Sequence, residues 1–155
     1  MTEVVFRRAN RGDLEAIIDL LRDDKLGQLR EDPAKPLNEC YVNAFHAMED
    51  DPNQFPMVAS VGDDIVGCLQ ISYIPGLSHK GMWRGQIESV RIAASQRGTG
   101  LGHQMLSWAI RQCEEHGCGM VQVNCDKSRA DAIRFYEDLG FKASHEGLKL
   151  TFSRG

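Results

Sequence analysis

Residues 97–102 read Arg97-Gly98-Thr99-Gly100-Leu101-Gly102, with glycine at every second position behind an arginine. What flanks this stretch decides the fold. Ahead of it, Gln86-Ile87-Glu88-Ser89-Val90-Arg91-Ile92 alternates and is rich in β-branched residues, which predicts a strand. Behind it, Leu101, Met105, Ala109 and Cys113, with Leu106 and Ile110 alongside, keep helical spacing from about Gly100 to His116, and Gly117 supplies a stop. A glycine loop between a strand and a helix suits an oxyanion. Glycines let successive backbone N–H groups converge, and the helix N-terminus adds its dipole and unpaired donors. Arg97 adds a charge-assisted contact to a phosphate.

Glycines that merely permit a tight turn are the bland alternative, so the ligand must be chosen from what surrounds the loop. A nucleotide P-loop fails, because no Gly-Lys-Ser/Thr closes the motif. A dinucleotide site wants Gly-x-Gly-x-x-Gly in a parallel βαβ unit and an acidic residue at the next strand end. Asp126 is available for that part, but the third glycine stands at the wrong offset and four predicted strands precede the motif. A third phosphate ligand to weigh is coenzyme A.

Working outward, Val4-Val5-Phe6 with Arg7-Arg8 predicts an opening strand, closed by Asn10-Arg11-Gly12-Asp13. Leu14, Ile17, Ile18 and Leu21 then form a helical stripe for docking on a sheet, with Asn10 and Asp13 at capping spacing. Residues 26–36, with Gly27, Pro33 and Pro36, read as an irregular connection, and 37–48 as a weaker helix. The runs 55–61 and 65–74 flank Gly62-Asp63-Asp64 as a hairpin. A second loop, 75–85, holds His79, Lys80, Met82, Trp83 and Arg84. Beyond the long helix, Met120 to Cys125 predicts a buried strand. Ser128 and Asp131 have capping-box spacing before a helix with Ala132, Ile133, Phe135, Tyr136 and Leu139, ended by Gly140. Residues 141–143 and 148–152 predict two short terminal strands. The expected order is β-α-α-β-β-β-α-β-α-β-β.

The 155 residues, 42% hydrophobic and 26% charged, fit one globular domain spanning 1–155 and exclude disorder. Eighteen Lys and Arg against 22 Asp and Glu leave a net charge of −4, which argues against broad nucleic-acid binding. MTEVVFRRAN lacks a signal peptide's apolar core, and no apolar run approaches the ~18 residues of a membrane span, so a cytoplasmic protein with no membrane partner is expected. The five cysteines are odd in number and include no CxxC pair, which argues against a full disulfide set and against zinc or another metal. Cys125 reads as a small buried hydrophobe rather than a nucleophile.

These residues resemble the GCN5-related N-acetyltransferase (GNAT) superfamily. Arg97-x-x-Gly100-x-Gly102 is similar to its Arg/Gln-x-x-Gly-x-Gly/Ala pyrophosphate loop, and Ala132-Ile133-Arg134-Phe135-Tyr136-Glu137-Asp138-Leu139-Gly140-Phe141 to its Ala-x-x-Phe-Tyr-x-x-x-Gly-Phe element. One helix and one strand separate the two, and the resemblance covers essentially the whole chain. It implies an α/β GNAT fold, a mixed, mostly antiparallel sheet of six to seven strands with four helices. The implied activity is acetyl transfer from acetyl-CoA, as cosubstrate, to a primary amine by direct attack in a ternary complex. Gln86 to Arg91 also looks somewhat like glucosamine-6-phosphate acetyltransferases, so an amino sugar is one candidate acceptor. A protein N-terminus or lysine, and a non-catalytic acyl-CoA-binding module, are the other readings. Homodimers are common in this superfamily, but no stripe in this sequence fixes an interface.

The resemblance also implies residue roles. Tyr136 corresponds to the family's general acid, which protonates the coenzyme A sulfur; the bland alternative is a ring packed on an amphipathic helix. Glu88 corresponds to its general base, with pairing to Arg84 or Arg91 as the structural alternative. Backbone N–H groups from Ser89 through Val90, Arg91 and Ile92 would bond the pantetheine and the thioester oxygen. Arg97, Gly98, Thr99, Gly100, Leu101 and Gly102 would hold the pyrophosphate. Arg129 replaces the asparagine many members carry seven residues before the tyrosine, and would reach a phosphate instead. His116 suits a helix C-terminus, and His79 an exposed acceptor-side loop.

Overall fold

The hairpin around Gly62-Asp63 is the nucleus of a five-stranded sheet. The computed structural model describes residues 3–153. β2 (Gln54–Val61) and β3 (Asp64–Ile74) pair antiparallel, with Val61 opposite Asp64 and Gly62 at φ 60° making the two-residue turn. Such a turn needs positive φ, and glycine adopts it without a Cβ clash. β1 (Val4–Arg8) lies antiparallel on β2, and β4 (Arg84–Ile92) antiparallel on β3. β5 (Met120–Val123) joins parallel to β4, giving the order β1-β2-β3-β4-β5.

The two faces carry different helices because strand side chains alternate. Val58 and Cys68 face α1 (Leu14–Arg22) and α3 (Glu39–Glu49), sharing a core with Leu14, Ile18 and Phe45. Neighbouring positions face α5 (Leu101–Glu115), whose Met105, Leu106, Ala109 and Cys113 are buried. A Cβ on Gly67 would strike Met105, and one on Gly85 would strike Cys113, so both glycines let this helix approach the strands. Trp108 of α5 meets the rings of Phe6 and Phe55, each 5.9 Å away. The Asn10–Asp13 capping box forms as expected, and Asp13 also takes a bidentate pair from Arg7 at 2.7 and 2.9 Å.

Several expectations are corrected. The segment after residue 25 is not wholly irregular, for it contains α2 (Lys25–Arg30). Asp24 caps it by accepting from the Gly27 N–H, and a Cβ on Gly27 would overlap the Leu21 carbonyl, so glycine there permits close approach to α1. The loop 75–85 contains a single turn, α4 (Ser78–Gly81), in which His79, Lys80 and Gly81 all have positive φ. The predicted strand 120–125 stops at Val123. The expected six to seven strands and four helices are therefore five strands and six helices among the described residues.

The described chain divides between Val123 and Asn124 into two compact units. The second holds α6 (Ala130–Asp138), with Arg129 at its N-cap and Gly140 at φ 100° beyond its end. Ser128 does not cap α6 as its spacing suggests; its N–H and hydroxyl both donate to Asp126 instead. Residues 141–143 and 148–152 are not strands. They alternate correctly, but alternation makes a strand only when a partner supplies a ladder, and the N–H groups bonded to backbone here, those of Phe141 and Ser144, turn back to Tyr136 and Lys142. Among the described residues no helix is long and apolar enough to cross a membrane.

Candidate active site

β4 has two parts. From Arg84 to Ile87 it is paired on one side with β3 and on the other with β5. After Ile87 the parallel pairing ends, and Glu88–Ile92 continues with β3 alone. Within that second part the β3 register shifts, and Ser89 adopts φ 57°, a bulge built on a non-glycine left-handed residue. Such a conformation is uncommon outside glycine, asparagine and aspartate, and it re-aims the backbone locally. The strand thus presents an edge free of β5 over the residues the sequence marked, Ser89, Val90, Arg91 and Ile92.

The glycine loop follows directly. Gly98 and Gly100 have φ 78° and 88°, and a Cβ on either would meet nothing within 4 Å. Among the described residues their N–H groups make no backbone hydrogen bond. Gly100 is the N-cap of α5 and provides no side-chain cap, so the first-turn donors of Leu101, Gly102 and His103 lack helical partners. The Leu101 side chain is buried, so only its backbone is offered outward. Thr99 turns inward, its hydroxyl donating to the Gln96 carbonyl at 2.6 Å. Arg97 extends over the end of α1, with Nη2 3.6 Å from an Asp23 carboxylate oxygen. An open cradle of N–H donors with one exposed arginine fits a pyrophosphate.

Glu88 is exposed and directly opposite Gln70 in the β3–β4 register. Among the described residues it forms no ion pair. Arg91, one of its expected alternatives, is turned to Asp24 at 3.6 Å and donates to the Val90 carbonyl at 2.9 Å. Glu88 shares its sheet face with a row that sequence reading passed over. Gln54, Ser72, Gln86 and Gln122 occupy matching positions on β2, β3, β4 and β5. The Gln54 amide oxygen accepts from Gln70 Nε2 at 3.0 Å and Ser72 Oγ at 2.9 Å, while Gln122 Nε2 donates to Gln86. The signal was present as polar residues at i, i+2 on consecutive strands, which read singly as a solvated face.

Tyr136 and Arg129 lie in the second unit. Tyr136 packs edge-on to Phe135 and Phe141, at 5.3 and 5.8 Å. Cys125 is half-buried, and burial raises its thiol, which disfavours a thiolate nucleophile. His116 stacks on Tyr73 at 3.7 Å, and His79 is exposed with Nδ1 2.8 Å from Ser78 Oγ.

Comparison with known proteins identifies the family. The model of the Acetyltransferase (GNAT) family matches residues 14–141. A solved structure from Bacillus halodurans, described as a transcriptional regulator, is 49% identical with a TM-score of 0.94, covering 97% of this chain and 100% of its own. Aminoalkylphosphonate N-acetyltransferase of Salmonella typhimurium is 29% identical over 107 residues, 69% of each chain. Glucosamine 6-phosphate N-acetyltransferase of Trypanosoma brucei brucei is 31% identical over 86 residues, 56% of each.

Proposed function

Because the chain belongs to the acetyltransferase (GNAT) family, we propose that it transfers the acetyl group of acetyl-CoA to a primary amine of a small polar molecule, by direct attack in a ternary complex. The observation that carries this reading is the parting of β4 from β5 after Ile87, with the Ser89 bulge, immediately ahead of the open glycine loop in the chain. Gly98, Gly100 and the first turn of α5 hold the pyrophosphate, with Arg97 adding charge. Bound acetyl-CoA supplies the acetyl group as an activated thioester.

Backbone N–H groups from Ser89 to Ile92 hold the acyl oxygen as negative charge develops on it, a form of stabilisation worth about 3–4 kcal/mol per donor removed in a well-studied hydrolase. Glu88 accepts the amine proton, directly or through a water, as the new C–N bond forms and the C–S bond breaks. Tyr136 donates its phenolic proton to the departing sulfur and regains one from solvent. The acceptor lies against the row of Gln54, Ser72, Gln86 and Gln122, whose amides and hydroxyl give and take hydrogen bonds without fixing a charge. The relatives named above act on small polar amines of this kind, an aminoalkylphosphonate and glucosamine 6-phosphate. The Bacillus halodurans relative's description as a regulator favours a second reading, an acyl-CoA-sensing module.

Calorimetric titration with acetyl-CoA, followed by thiol release across amines, amino sugars, aminophosphonates and basic peptides, separates them. Binding with amine-dependent thiol release is the expected result, and Tyr136→Phe should keep the affinity while slowing turnover. Binding without turnover on any amine supports the sensing module. No binding contradicts both.

A further inference from the structure

A mostly apolar cavity of about 140 Å³ lies in the first unit, between the α1 and α3 helices and the sheet face beneath them, and opens at the exposed Ala44 and Ser89. Ile17 and Leu21 of α1, and Tyr41 and Phe45 of α3, form its walls, while Cys68 and Ser89 lie on its strand side. Among the described residues no charged side chain lines it. Phe45, Cys68 and Leu69 are buried within it, and Tyr41, Gln70 and Ser89 are its polar members. Its largely apolar wall favours an apolar guest over water.

Its position says which guest. Ser89 is both a lining residue and the bulge residue of β4, and the Cys68 thiol reaches the Ser89 carbonyl at 3.8 Å. The cavity is therefore continuous with the strand segment assigned above to the thioester, and this inference rests on that assignment. An acceptor amine is a poor occupant, because the lining offers an ammonium group no carboxylate. An acyl chain carries no polar group beyond its carbonyl and needs none here.

We propose that the cavity receives the acyl chain of the donor, so that the enzyme accepts propionyl-CoA and butyryl-CoA as well as acetyl-CoA. At ~30 Å³ per water-sized group it has room for about four or five carbon atoms. Each methylene moved from water into such a site can tighten binding by up to about fourfold. Butyryl-CoA, two methylenes longer than acetyl-CoA, should then bind about tenfold more tightly.

Equilibrium titration of the full chain with acetyl-, propionyl- and butyryl-CoA tests this without knowledge of the acceptor. Ile17→Phe and Ala44→Leu each fill the cavity from a different helix, and melting temperatures establish that both variants are folded. The expected result is affinity rising with chain length in the wild type and the butyryl advantage falling to about one in whichever filled variant folds. Wild-type binding of acetyl-CoA with equal or weaker binding of butyryl-CoA overturns the cavity's role and leaves acetyl transfer standing. A butyryl advantage that survives filling also overturns it. Failure of all three thioesters to bind overturns the acetyl-CoA reading together with this one.

Discussion

The two halves of β4 share one backbone run and differ in how many strands hold them. Arg84–Ile87 has a partner on each side; Glu88–Ile92 has β3 alone. In the first half the alternation is plain, with Gly85 under Cys113 of α5 and Ile87 only 1% exposed. In the second the alternation breaks at Ser89, and Glu88 and Ser89 are exposed. A strand held on both edges has its backbone donors used up in the sheet, whereas one held on a single edge keeps donors for a ligand. The first half is scaffold, and the second is where the proposed chemistry falls.

The contrast can be broken first at adjacent residues. Glu88→Gln should lower turnover by roughly 10²–10⁴-fold, the usual worth of a positioned base, and should leave stability within about 0.5 kcal/mol as an exposed substitution. Steady-state kinetics with denaturant unfolding reads both, and unchanged turnover would remove Glu88 from the mechanism. Ile87→Ala should do the reverse, costing about 2–5 kcal/mol of stability through the cavity it leaves. An unfolding midpoint near that of the wild type would mean that the doubly paired half is not the scaffold it looks to be.

A smaller effect is expected where the freed strand leads into the glycine loop. At Gly100 a side chain has open space but an unfavourable φ of 88°, so Gly100→Ala should cost about 1–2 kcal/mol through conformation alone. Acetyl-CoA affinity should fall with it, because the first-turn N–H groups lose their aim; titration at fixed pH gives the number, and unchanged affinity would argue that these donors do not face the ligand. The least effect on the site is expected from the scaffold's far edge. The Arg7 guanidinium holds the Asp13 carboxyl below its ordinary range, first through their hydrogen bonds. A depressed carboxylate contributes stability above its unfolded pKa, near 4, and loses it as pH falls through the folded value. The wild type should therefore lose melting temperature faster than Asp13→Asn below about pH 4, with a difference at neutral pH of about 3 °C per kcal/mol. Parallel acid profiles for the two proteins would refute the pairing.

What could be read from the sequence follows the same division. Features fixed by local periodicity were legible: the α1 stripe at Leu14, Ile17, Ile18 and Leu21, the hairpin at Gly62, and α5 behind its glycine loop. Features fixed by long-range contacts were not. α2 owes its place to the Asp24 cap and to the approach of Gly27 to Leu21, which no composition signal announces. Residues 148–152 alternate as a strand does, but a sequence cannot supply the neighbour that makes one. In the site, the glycines, Arg97 and Glu88 stood out because their residue types are unusual for their positions. The Ser89 bulge did not, since serine gives no warning of positive φ. The polar row across four strands escaped notice because each member, taken alone, is an ordinary polar position.

The most direct test of the central claim is amide hydrogen exchange with and without saturating acetyl-CoA, followed at single residues along β4 and into α5. The account predicts new protection at Ser89–Ile92 and at Gly98–His103, with Arg84–Ile87 slow to exchange in both states. Protection confined elsewhere, or equal change in both halves of β4, would contradict it.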